Sequence, residues 1–213
     1  MFENNRFFAQ FVLWYRKCRK VEITLVSYFN NIAEQFTNPV TAIAQVLGFI
    51  PVILGFFVFY VTDRKKTLAV KAVCDGLFVV HFFMLGQWTG GMVSVVNALR
   101  GVAFSWKGRY RWSSNFFLPI LFCLLTIGGS LLGWTGVKSL LPMFGSCIAV
   151  IGYWFSEPSM LRKFNFVGIS LWLIYGILTL SVPTIINNTI YLVSIARTEI
   201  VCMVNKHKER HNA

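Results

Sequence analysis

The amino-acid sequence predicts an all-α membrane protein: a seven-helix bundle in which two parallel three-helix repeats are joined by a linker helix. Three observations predict it. Hydrophobic residues make up 56% of the chain and charged residues 13%, against about 25% charged in a soluble domain. Seven apolar segments, about 41–61, 67–86, 90–106, 116–134, 139–156, 163–180 and 182–203, are close to the roughly 20 residues that cross a bilayer. The third observation is an internal echo at a spacing of 97 residues. Gly48 and Gly55 fall on Gly145 and Gly152, Val52 to Phe57 on Ala149 to Trp154, and Lys65-Lys66 on Arg162-Lys163.

Residues 1–40 read as an amphipathic segment lying in the membrane interface. Phe7, Phe8, Phe11, Val12 and Tyr15 recur at helical spacing, as do Val21, Leu25, Tyr28, Phe29, Ile32 and Phe36, and Pro39 closes the second stretch. The start lacks the basic, apolar and small-residue order of a signal peptide. Residues 41–106 hold the first repeat, with an uncharged turn from Gly86 to Gly91 between its second and third spans. Residues 107–138 hold a loop and the linker helix, Phe116 to Trp134, which has no counterpart in the duplication. A repeat with an odd number of crossings inverts its successor. The linker restores a shared orientation, so the two repeats pair about an axis along the membrane normal. Residues 139–203 hold the second repeat and 204–213 a basic tail. Pro51 and Pro142 interrupt the first helix of each repeat, and Gly48, Gly55, Gly145 and Gly152 suit close helix packing.

The net charge of +12 sets orientation rather than marking a nucleic-acid binder. Arg64, Lys65, Lys66 and Lys71, then Arg100, Lys107, Arg109 and Arg111, then Arg162 and Lys163, then Arg197, Lys206, Lys208 and Arg210 fall on one face of a seven-span protein. By the positive-inside rule that face, with the C-terminus, is cytoplasmic. Arg6, Arg16, Lys17, Arg19 and Lys20 run against this pattern. Either the tail lies on the outer leaflet or the span count differs by one; the short loops carry most of the orientation signal and favour the outer leaflet. Cys18, Cys74, Cys123, Cys147 and Cys202 are scattered, with no CxxC. They indicate neither a metal site nor a disulfide framework, and no cofactor is expected.

The stretch from Ala44-Gln45 to Gly55, the Asp63-Arg64-Lys65-Lys66 loop, His81-Phe82-Phe83-Met84-Leu85-Gly86 and Asn97-Ala98-Leu99-Arg100 resemble the bacterial inner membrane family of the YgjV type, over roughly residues 41–200. That family is similar in layout to sugar transporters of the SWEET type and nicotinamide riboside carriers of the PnuC type. The resemblance implies the inner membrane and this helical layout, and it implies a carrier function only by analogy.

The candidate substrate-binding residues are Asp75, His81, Asn97, Trp172, Tyr191 and Ser194. Asp75 is an acidic residue inside a predicted span, where charge is costly and usually faces protein or water. It reads either as a ligand-binding carboxylate or as half of a Lys71–Asp75 pair at i,i+4 that closes the bundle. His81 reads as a polar or proton-carrying ligand group, or as a neutral histidine bonded to a neighbouring helix. Its counterpart in the second repeat is Leu178. Carriers similar to the SWEET type use an asparagine on this span, which puts Asn97 forward; its repeat mate is the smaller Ser194. Asn187, Asn188 and Tyr191 add polar capacity, with interhelical glue the plainer role for Asn187. Trp172 and Tyr175 offer aromatic faces deep in a span, whereas Trp88, Trp106, Trp112 and Trp134 suit interfacial belts.

These residues favour a carrier for a small polar metabolite in the lipid bilayer, working by alternating access between the repeats. The competing reading is a non-transporting inner membrane protein that recruits a partner through its basic face and N-terminal helices. Catalysis lacks a paired-carboxylate, HExxH, nucleophilic-serine or phosphate-loop motif, so no enzyme is expected. A homo-oligomer is compatible with either reading.

Overall fold

The computed structural model describes the chain apart from residues 1–19, 21, 59–63, 112, 114, 156 and 213. The predicted helix through Phe7, Phe8, Phe11, Val12 and Tyr15, the basic Arg6, Arg16, Lys17 and Arg19, Asp63 and Trp112 therefore lie outside the described residues. The same holds for the side chains of Arg64, Lys65, Lys66, Lys206, Lys208 and Arg210.

Among the described residues the regular structure is helical. The first unit, Met1–Ala42, contains α1 (Glu22–Gln35), which exposes Ile23, Leu25, Val26 and Phe29. The structure corrects the role of Pro39. The chain leaves α1 at Gln35, and Pro39 opens the next helix, α2 (Pro39–Val58). Asn38 Oδ1 accepts the Val40 N–H at 2.9 Å, a side-chain cap, and proline suits the first helical position because its missing donor would be unpartnered there.

The second unit, Ile43–Ala213, holds the rest of α2 and then α3 (Arg64–Met84), α4 (Trp88–Ser105), α5 (Phe117–Leu132), α6 (Leu140–Trp154), α7 (Pro158–Leu178) and α8 (Val182–Asn212). A short 3-10 turn, Val137–Ser139, leads into α6. Helix α8 runs on through the basic residues 204–212.

The longest pairings run between α3 and α4 and between α6 and α7, followed by α7 with α8. Helix α5 packs on α4 and on α6. Among the described residues α6 lies along α7, whereas α2 makes no equally extended approach to α3. Small residues set the closest crossings. A Cβ at Gly168 would lie 2.6 Å from the Gly145 carbonyl oxygen, and one at Gly145 2.8 Å from that of Gly168. A Cβ at Gly101 would lie 2.9 Å from that of Ala72, where α4 meets α3. The close-packing reading of Gly145 thus has a named partner.

Among the described residues, two helices are long and apolar enough to cross a membrane, Val137–Trp154 and Ser159–Leu178. A third counts if Glu22–Gln35 and Pro39–Gly55 form one broken span. Helix α5 is apolar but only 16 residues long, whereas other helices carry polar residues inside their length: Lys71 and Asp75 on α3, Asn97 and Arg100 on α4, Asn187 and Asn188 on α8. These residues share one environment, described next.

At the α6–α7 crossing the clashing atom is backbone, which cannot rotate away. Gly168→Val should destabilise the protein by about 1–3 kcal/mol, read as a lower melting temperature of the purified protein in detergent. Gly76→Val, where a Cβ meets nothing within 4 Å, should cost much less.

Candidate functional site

Five helices each turn one face towards a cavity of about 70 Å3, room for several waters. From α3 come Lys71, Asp75, Phe78 and Phe82, and from α4 Ser94, Asn97 and Arg100. Helix α6 brings Gly145, Ser146, Ala149 and Tyr153; α7 brings Asn165, Gly168, Ile169 and Trp172; α8 brings Thr184, Asn187, Asn188 and Tyr191. Steps of three and four residues, with one adjacent pair on each of α6, α7 and α8, place each set on one side of its helix. Several lining positions are mates under the 97-residue spacing: Lys71 with Gly168, Asp75 with Trp172, and Ser94 with Tyr191.

Ser146 joins three of the walls. Its Oγ accepts Asn97 Nδ2–H at 3.1 Å and Trp172 Nε1–H at 3.1 Å, while its carbonyl accepts an Arg100 Nη1–H at 3.2 Å. Two bonds fill the hydroxyl's acceptor positions, so its own proton remains a donor. Trp172 is held further by ring contacts, with centroids 5.8 Å from Phe82 and 5.8 Å from Tyr175. Tyr175 in turn accepts the Gly90 N–H at 3.1 Å.

The charges are arranged in two groups. Lys71 Nζ lies 3.8 Å from Asp75 Oδ1 and 5.4 Å from the centre of the Tyr191 ring. Arg100, 4% exposed, sets its guanidinium carbon 4.9 Å from the centre of the Tyr153 ring, within cation–π range. Asp75 Oδ2 and Asn97 Oδ1 are buried acceptors with no hydrogen-bond partner.

Of the six residues predicted from the sequence, Asp75, Asn97, Trp172 and Tyr191 share this cavity. Ser194 lies half-buried one turn beyond Tyr191 on α8 and does not line it. His81 is placed elsewhere, fully buried at 0% exposure. Its Nδ1 sits 2.7 Å from the Ala44 carbonyl and its Nε2 2.7 Å from Ser181 Oγ. A carbonyl only accepts, so Nδ1 carries the proton, while Ser181 Oγ beside Nε2 also bonds Thr184 Oγ1 at 2.6 Å. His81 thereby ties α2 to α3 and to the start of α8, the bonded-histidine alternative. The corresponding second-half residue, Leu178, is exposed.

Arg100 is the main correction. Sequence reasoning counted it with the cytoplasmic loop charges, but it is buried inside α4, three residues from Asn97 on the same face. That spacing, inside an apolar run, was the available signal. Lys71 lines the cavity together with Asp75 instead of only closing the bundle, and Asn187 does so too. Asn188, expected to add polar capacity, lines the cavity too, whereas Ser146 and Asn165 were missed as site residues. A lone serine inside an apolar helix is common, and no local pattern marks it.

Residues 42–206 match the model of a family described as Imp-YgjV, bacterial inner membrane protein. The chain is similar to the inner membrane protein YgjV of Escherichia coli strain K12, with 24% identity over 134 residues, covering 63% of this chain and 70% of that protein. No solved structure matches the chain.

Replacing His81 removes the donor that the buried Ala44 carbonyl uses and one partner of Ser181 Oγ, which keeps its bond to Thr184. His81→Leu should therefore lower stability by about 1–3 kcal/mol, measured by thermal unfolding in detergent, with solute binding in the cavity retained at permissive temperature.

Proposed function

Because the chain belongs to the YgjV family of bacterial inner membrane proteins, its helices work in a bilayer, and we propose that it carries a small polar metabolite across that membrane. Polar side chains at membrane depth are expensive and face water, substrate or each other. Here amides, hydroxyls and charges from five helices converge on one cavity, and that convergence carries the proposal.

In this reading α2 to α8 are the spans, α5 joins the halves and the C-terminus is cytoplasmic. The lining pairs related by the 97-residue spacing support a site at the seam between two repeats, where alternating access would expose it to either side. Asn97, Asp75 and Tyr191 would supply hydrogen bonds and Trp172 an aromatic face. The partner-recruiting alternative draws its support from the exposed apolar residues of α1, but it gives the buried polar cavity no role.

The test uses vesicles containing the purified full chain, incubated with a total small-molecule extract of bacterial cells. Mass spectrometry should find at least one polar metabolite accumulated above protein-free vesicles. Asn97→Ala should reduce that accumulation about tenfold, the loss of roughly 1.4 kcal/mol of binding, with the protein still folded. Ser194→Ala should leave it unchanged. Absence of any accumulated solute would overturn the carrier reading.

A further inference from the structure

The charged side chains around the cavity do not balance. Lys71 and Arg100 bring two cations and Asp75 one anion, and among the described residues no other charged side chain lines the space. Lys71 is answered by Asp75 at 3.8 Å. Arg100 is answered by the Ser146 carbonyl at 3.2 Å and by the Tyr153 ring, neither of which carries negative charge. It forms no ion pair with any described carboxylate.

A buried charge is tolerated when it is paired. Of the five guanidinium N–H donors only one is spent on the Ser146 carbonyl, which leaves the planar fork that suits a carboxylate's two oxygens. The Ser146 hydroxyl, already accepting from Asn97 and Trp172, adds another donor. The same cavity also holds two buried acceptors in need of hydrogen, Asn97 Oδ1 and Asp75 Oδ2. The complement of this set is a small molecule with one negative group and a hydroxyl close to it.

Resting on the carrier reading above, we propose that the solute is a hydroxycarboxylate whose carboxylate pairs with Arg100 and whose hydroxyl donates to the orphaned oxygen of Asn97 or Asp75. A neutral solute leaves Arg100 unmatched. A cation adds a third positive charge to the walls.

Three probes of one size separate these cases: lactate, lactamide and 1-amino-2-propanol, which differ chiefly in charge. Lactate should raise the melting temperature of the purified full chain in detergent by about 2–4 °C in a concentration-dependent way, and the other two should not. Arg100→Gln should abolish the shift. Should that variant fail to fold, Asn97→Asp serves instead: it supplies the missing negative charge, so the lactate shift should disappear and 1-amino-2-propanol should gain one. An equal shift from lactamide, a lactate shift that survives Asn97→Asp, or no shift from any probe would overturn the proposal. Uptake into vesicles separates the two readings. Preferential uptake of lactamide sinks the anion proposal and keeps the carrier, whereas a lactate shift with no uptake of lactate or of any extract solute keeps the anion site and removes the carrier.

Discussion

Ser146 is the point on which the cavity's geometry depends. One residue of α6 fixes the Asn97 amide and the Arg100 guanidinium of α4 and the Trp172 indole of α7. Each of these side chains would otherwise sit unsatisfied among apolar helices, where water cannot compensate. The serine can reach them because the helices come so close. Gly145, its neighbour, meets Gly168 backbone to backbone, which sets α6 against α7 and turns Ser146 towards α4. A change of side-chain volume at that crossing would therefore propagate to the amide and the guanidinium, although neither touches a glycine.

The helices were legible in the sequence because apolar runs of bilayer length have few alternatives, and the segments marked there lie over α2 to α8. The ends were less legible. Pro39 works as a helix start because Asn38 caps it, and α8 runs on through a basic stretch that reads locally as a tail. Within the site, Asp75, Asn97, Trp172 and Tyr191 could be found because polarity or a deep aromatic inside an apolar run is conspicuous. Arg100 was hidden by a rule that is sound for loops: basic residues near a span's end report orientation. It failed because α4 carries Arg100 well inside its length. Ser146 and Asn165 were hidden for the opposite reason, since small polar residues are ordinary in membrane helices and gain meaning only from what faces them.

The same polarity explains why few helices satisfy a plain test of length and apolarity. The residues that dilute α3, α4 and α8 are those that line the cavity. A weak hydropathy signal in an otherwise apolar chain can therefore point to an internal site as readily as to a water-exposed segment.

Helix α2 is attached differently from α6. Lacking the extended pairing that α6 makes with α7, it is fixed near its start by directed contacts. The Ala44 carbonyl meets His81, Gln45 Nε2 donates to the Leu180 carbonyl at 2.9 Å, and Gly48 is close to His81 and Pro183. Leu180 lies in the left-handed region at φ +55, a conformation unfavourable for a branched side chain, so the α7–α8 turn benefits from a partner that holds its carbonyl. Further along, Gly55 approaches Tyr191 and Asn187, with a Cβ there 3.2 Å from the tyrosine oxygen. One end of α2 thus carries buried hydrogen bonds, and the other rests a glycine against two residues of the cavity wall.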